Sequence, residues 1–359
     1  MKYCNTAFIL LLFFLLGTFN NARAEELIKF DPPIIITRGG TYVGHWIEQN
    51  GKRPITVETT EPVIISGSVS GPGELIRAIN GSQITIRHLK AYGDKGRFFS
   101  GESVKSIEIS NCTIEKSSGI YILNTDSTSS ILITRNNVKN IQKPTGNGQF
   151  VQLDKVNSSA IDISWNQVIN KFGESEVEDI INLFRTSNAD IHDNYLQGAF
   201  PLTISSNFSG SGIMVGDYGG NNNKIHDNQI VSTTNAGIGI VGGSGNIAYK
   251  NTIIGDGKND YGDSLKSANI GLFVWNINNS NEFALNSAYD NQVGWINASG
   301  ARNDWWLPDC TKSCRNYNVS GSIDKSTKTF EFGKWMDKLK RNEIIIGAKT
   351  PTPPIISSK

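Results

Sequence analysis

The sequence predicts an all-β solenoid, a coil of short strands in which each turn stacks on the one before. Three observations carry the prediction. An isoleucine-centred unit recurs with asparagine at a fixed place: Ile133-Thr134-Arg135-Asn136-Asn137-Val138, Ile163-Ser164-Trp165-Asn166-Gln167-Val168, Ile191-His192-Asp193-Asn194-Tyr195-Leu196 and Ile225-His226-Asp227-Asn228-Gln229-Ile230. The unit continues more loosely over 248–253 and 283–288, with Asn251 and Asn286 in the asparagine place, and two earlier turns put Leu89 and Cys112 there. Finally, the interval between units varies, from 23 residues (Ile84 to Ile107) to 30 (Ile131 to Ile161). A constant strand–bend–strand with variable loops is the pattern of a stacked coil whose insertions leave the surface.

Taken in order, residues 1–24 read as a secretory signal. Lys2 supplies a positive start, 7–16 an apolar run, and Ala22-Arg23-Ala24 a small-x-small cleavage site. The apolar run is too short to span a bilayer, and no later stretch qualifies. A secreted or periplasmic chain is therefore expected. Without Lys2 and Arg23, 32 of the 34 basic residues remain against 33 acidic ones, a balance that argues against a nucleic-acid partner held by bulk charge. Residues 25–82 read as an N-terminal cap and first coil, with strands at 34–37, 55–58 and 63–65 between Gly and Pro turns. The repeats fill 83–300. Residues 301–359 form a C-terminal cap and extended tail, with a short helix possible over 332–341 and a proline-rich end at 350–354. Cys310 and Cys314 are close enough to bridge in an oxidising compartment, or could be half of a metal site, whereas Cys112 reads as a buried packing residue. An amide both donates and accepts, so stacked asparagines can satisfy the bends and each other.

These stacked bends resemble right-handed parallel β-helix proteins of the pectate-lyase-like superfamily. Gly39-Gly40-Thr41-Tyr42, Glu178-Asp179-Ile180-Ile181 and the segments 212–217 and 271–276 are similar to a group of secreted bacterial β-helix proteins. The resemblance covers most of the chain. It implies a right-handed single-stranded parallel β-helix with an N-terminal β cap and a short C-terminal tail. The superfamily hosts lyases, hydrolases, epimerases and non-enzymes, so it implies no single reaction.

Chemistry is expected on the third strand of each coil. Gly119-Ile120-Tyr121-Ile122, Val151-Gln152-Leu153, Ile181-Asn182-Leu183, Ile213-Met214-Val215, Ile238-Gly239-Ile240 and Leu272-Phe273-Val274 align there. Period-two alternation sends their aliphatic residues inward and leaves Tyr121, Gln152, Asn182, Met214, Gly239 and Phe273 as an outward file. Asp154, Phe184 and Trp275 follow one step on, and Lys155, Arg185 and Asp217 just after. Glu178 and Asp179 enter the same face from the preceding loop. Grooves of this kind carry sugar polymers in related folds, so the expected partner is a polysaccharide or oligosaccharide, bound through Asp154, Asn182, Tyr121 and Trp275.

The leading expectation is a lyase on an acidic polysaccharide. Elimination needs a cation to neutralise the uronate carboxylate and a base for the adjacent ring proton. Arg185 or Lys155 fits the first need, and Asp179, Glu178 or Asp217 could hold Ca²⁺, with Glu178 and Asp179 as the metal ligands. Hydrolysis would instead use Asp179 and Asp217 as one protonated and one ionised carboxyl. The alternative is a non-catalytic glycan-binding or surface-structural protein, the charged file then being a salt-bridge ladder. Sequence signatures of specific enzymes are missing. Asn124-Thr125-Asp126 looks like the first motif of polygalacturonases, without their later aspartate pair and Gly-His-Gly. The His192 and His226 repeats read as turn-stabilising residues, and Trp275, Trp295, Trp305 and Trp306 as sugar platforms or a cover for the last coil.

Overall fold

In the computed structural model, residues 30–143, 148–200 and 209–349 are described, so the signal-like segment and the proline-rich end lie outside them. Parallel pairing organises the whole body. One sheet of eleven strands runs from Ile34–Ile36 to Trp305–Trp306, each strand hydrogen-bonded to its counterparts one coil before and after. The strands on either side of each bend form the second, 18-stranded sheet. The chain is a parallel β-helix.

Alternation explains the core. The inward residues of the third strands (Ile120, Ile122, Val151, Leu153, Ile181 and Leu183 among them) are fully buried. They meet the isoleucines of the bend strands, such as Ile133, Ile163 and Ile191, in one continuous apolar column. Burying a side chain of this size contributes about 1.5–3 kcal/mol, which is why coils this short hold only by stacking.

Each bend has a local cause. The residue before the asparagine adopts a left-handed conformation: Arg135, Trp165, Asp193, Asp227 and Lys250 all have φ between 52° and 57°. This turns the chain and aims the following amide into the interior. Asn136 Nδ2 donates to Asn166 Oδ1 at 2.9 Å, and the relay passes through Asn194, Asn228 and Asn251 to Asn291 and Asn316. Cys112 stands above it, its backbone N–H donating to Asn136 Oδ1. Burial pushes its thiol up to about 12.

Asn286 does not belong to this ladder. Ala288 pairs with Ala248, which places Asn291 below Asn251. Asn286 instead receives a hydrogen bond from the Asn246 backbone, and Asn246 is in turn bonded by Asn223. The coil thus uses asparagine at two corners, one before and one after the first bend strand. Leu285 and Asn222 take the same left-handed conformation just ahead of the second corner, so the local pattern looks alike at both.

The C-terminal helix, Lys325–Arg341, begins seven residues earlier than the apolar pattern suggests. Asp324 caps it, accepting from the Ser326 and Thr327 backbones, and Thr327 completes the capping box. The helix lies along the flank of the solenoid. Trp335 and Leu339 pack with Tyr195 and Val231, and Trp335 Nε1 donates to Gln167 Oε1 at 2.8 Å. Beyond it the chain runs back along the bends, where Asn111 Nδ2 donates to Ile345 O. Cys310 and Cys314 are bridged.

Candidate functional site

Register on the third-strand sheet pairs Tyr121 with Gln152, Gln152 with Asn182, Asn182 with Met214, Met214 with Gly239 and Gly239 with Phe273. The expected outward file is therefore present. It extends in both directions, to Ser100 and Arg77 at the N-terminal end and to Trp306 at the other.

Asp217 stands one step nearer this file than expected. The extra residue Gly216 makes a bulge between the two strands, so Asp217 pairs with Phe184 rather than lying beyond it. Only glycine fits there: its φ is 88°, and a Cβ would run into the Gly242 carbonyl of the next coil. The bulge brings the Asp217 carboxyl to Asn182. Asn182 Nδ2 donates to Asp217 Oδ2 and to Asp179 Oδ2, both at 3.0 Å. One amide thus holds two carboxyl groups whose facing oxygens are no more than two hydrogen-bond lengths apart.

Glu178 is the third member, with its carboxyl accepting from Gln149 Nε2 at 3.0 Å. Burial pushes Glu178 up to about 7, reinforced by the charges of Asp179 and Asp217 and opposed by Lys143. Burial likewise raises Asp179, which is only 7% exposed, to about 6, and raises Asp217. Three neighbouring carboxyl groups cannot all ionise cheaply, so the cluster retains protons into the neutral range. Asn182 Oδ1 and Gln149 Oε1 are buried without a donor among the described residues.

The remaining charged residues form a second group. Arg185 Nη2 binds Asp154 Oδ1 at 2.8 Å while its guanidinium covers Phe184 at 4.3 Å. Tyr121 donates to the other Asp154 oxygen at 3.4 Å. Lys155 and Arg185 both occupy the left-handed corner ending their strands, with φ of 53° and 50°. Lys155 is exposed and makes no ion pair among the described residues. Farther along, Trp275 and Trp306 are exposed with ring centroids 5.0 Å apart, whereas Trp295 is fully buried in the last coil.

The histidines lie in the bend sheet and are occupied. His192 and His226 stack at 5.0 Å, each ring held between two carboxylates. The carboxylates of Asp162, 3.6 Å away, and Asp193, hydrogen-bonded at 2.8 Å, push His192 up to about 10. Asp126 caps its own turn through Thr128 and Ser129. As for Ca²⁺, the ion takes six to eight oxygens. Glu178, Asp179 and Asp217 carry six carboxyl oxygens, but three of them already accept from the Asn182 and Gln149 amides, and no metal-holding group appears among the described residues. As it stands that donor set falls short of a calcium cage, and the chemistry proposed below uses no metal ion.

Gln149, Ser211 and Lys143 are site residues that the pattern did not single out. Ser211 pairs with Asp179 in register, its backbone N–H donates to the Glu178 carbonyl at 2.7 Å, and its nearness favours the ionised Asp179 carboxyl. Extending the strand alignment two residues back would have found it. Gln149 and Lys143 precede a strand, where no periodicity fixes direction. Compared with known proteins, the chain matches no family model, and no curated protein matches it in sequence.

Proposed function

We propose that this protein cleaves glycosidic bonds of a polysaccharide lying along the third-strand face. One observation carries the reading: two carboxyl groups share the Asn182 amide, and a third, Glu178, holds its proton to about 7. Glycoside hydrolysis uses such a set, one carboxyl to protonate the leaving oxygen and one ionised to stabilise or attack the developing oxocarbenium carbon. Glu178 is the proton donor and half-buried Asp217 the carboxylate. Burial keeps Glu178 protonated, and the charge of Asp179 adds to it. Asn182 holds Asp217 beside Asp179.

Elimination is the second reading, favoured by Lys155, an exposed cation on the same face. Lys155 or Arg185 would neutralise a uronate, and Asp179, raised to about 6, would take the ring proton. Arg185 is already engaged by Asp154, which weakens this route relative to hydrolysis. The Cys310–Cys314 bridge supports work in an oxidising compartment, outside the cytoplasm.

The test is reducing-end release from a panel of acidic and neutral polysaccharides, with and without Ca²⁺, read alongside unsaturated-uronate absorbance. New reducing ends without absorbance are the expected result, and matching absorbance would select elimination. Glu178→Gln and Asp217→Asn should each lower turnover about 100-fold or more. Neither signal from a folded sample would leave a glycan-binding or structural protein.

A further inference from the structure

We propose that the cavity on the outward face of the strands Ile76–Ile79, Phe99–Glu102 and Ile120–Thr125 is a subsite for an acidic sugar, with Arg97 receiving the sugar carboxylate. The cavity has a volume of about 230 Å³ and is lined by Glu74, Arg77, Arg97, Ser100, Glu102 and Tyr121 among others. Arg77, Ser100 and Tyr121 are successive members of the outward file that continues to Gln152 and Asn182. From Tyr121 to Asn182 is two coils, roughly 10 Å at the spacing of neighbouring strands. A glycan lying along the axis advances about one sugar unit per coil, so this subsite sits a few units from the carboxyl cluster.

Arg97 gives the cavity its chemistry. Its Nη1 is buried with no hydrogen-bond partner among the described residues. Its guanidinium lies over the Tyr121 ring at 4.2 Å, which fixes its plane. The nearby acids are drawn elsewhere: Glu74 binds Arg53 at 3.0 Å, and Glu102 lies 3.9 Å from Arg77. Arg97 has no such ion pair among the described residues, and a partly buried cation with an idle donor is costly. A carboxylate matches it best, being planar and able to take parallel N–H donors from one guanidinium. Ser100 and Glu102 can hydrogen-bond the sugar hydroxyls. The inference rests on the polysaccharide reading for the identity of the anion's carrier, and it narrows the substrate to a uronate-containing chain.

Calorimetric titration of the full chain with short oligouronides of differing sugar composition tests it. Methyl esters of the same oligomers and sulfated neutral oligomers serve as the other arms. Glu178→Gln provides a background in which cleavage does not interfere. Expected is binding of at least one acid oligomer that weakens with salt, falls roughly tenfold or more in Arg97→Gln, and recovers partly in Arg97→Lys. The ester should bind Arg97→Gln and the unaltered protein alike. The proposal fails if no acid oligomer binds, if Arg97→Gln binds them unchanged, or if acid and ester lose affinity equally. Arg97-dependent binding of the sulfated oligomers alone would also overturn the carboxylate assignment. Matching melting curves exclude misfolding of Arg97→Gln, and if that variant fails to fold, Arg97→Lys carries the same comparison. Arg97-dependent binding without cleavage by the unaltered protein would sink the enzymatic reading and leave the subsite standing. Cleavage unaffected by Arg97→Gln, with unchanged binding, would do the reverse.

Discussion

Glu178 shows how one residue can link stability to chemistry. Its ordinary value is 4.5, and burial raises it to about 7 in the folded chain; Asp179 moves from 3.8 to about 6 in the same way. Below the ordinary values both folded and unfolded chains carry these protons. Between there and about pH 7 only the folded chain keeps them, so this contribution to stability falls as pH rises through that window. Glu178→Gln and Asp179→Asn imitate the protonated forms. Each should melt near the unaltered protein at about pH 4 and a few degrees above it at pH 8. Thermal melts across that range check this, and parallel pH slopes for variant and parent would show that the carboxyls titrate normally. His192 slopes the same way over a higher window, here by losing a favourable contact rather than by gaining a buried charge. Its value is raised to about 10, so its stabilisation is complete below its ordinary 6.5 and disappears as pH rises through 10.

At the scale of the element, the asparagine ladder converts sequence repetition into a corner that every coil can share. Asn194 is fully buried, donates to the carbonyls of Ile163 and His192, and accepts from the Asn166 backbone and side chain. Leucine would fill the space and leave these groups unpaired, at about 1–3 kcal/mol for each buried group. Asn194→Leu should therefore lower the melting temperature by several degrees or abolish folding, and without selective loss of turnover in whatever folds. An unchanged melting temperature would undo the account. This ladder was legible because asparagine repeats at constant offset within an isoleucine-centred pattern, although the left-handed residue before it is Arg, Trp, Asp or Lys and shows no such signature. Asn286 misled because the neighbouring corner uses the same local code. The third-strand file was legible for a different reason: strict alternation allows only one face to point outward. Arg97 was not, since it precedes its strand in a turn where direction comes from packing against Tyr121. Nor was the bulge at Gly216, whose cause is a carbonyl of the next coil.

Across the whole molecule, stacking turns isolated outward positions into one continuous track. It runs from Arg77 through Tyr121 and Asn182 to Phe273 and Trp306, eight coil spacings or roughly 38 Å. Its two ends differ in kind. The unpartnered Arg97 lies at one end, the exposed Trp275–Trp306 pair at the other, and the carboxyl cluster stands between them. Aromatic faces stack on sugar rings over several units without demanding a particular charge. Binding energy from such remote contacts can serve the reacting centre only if the chain is long enough to reach them. Turnover efficiency should therefore rise with oligomer length until the track is filled, at about seven or eight units. Trp306→Ala should lower kcat/KM for long oligomers by several-fold and leave those too short to reach the tryptophans unaffected. A length series on both proteins decides the matter: an equal loss at every length would place Trp306 in the support of the fold, and no loss at any length would remove the tryptophan pair from the track.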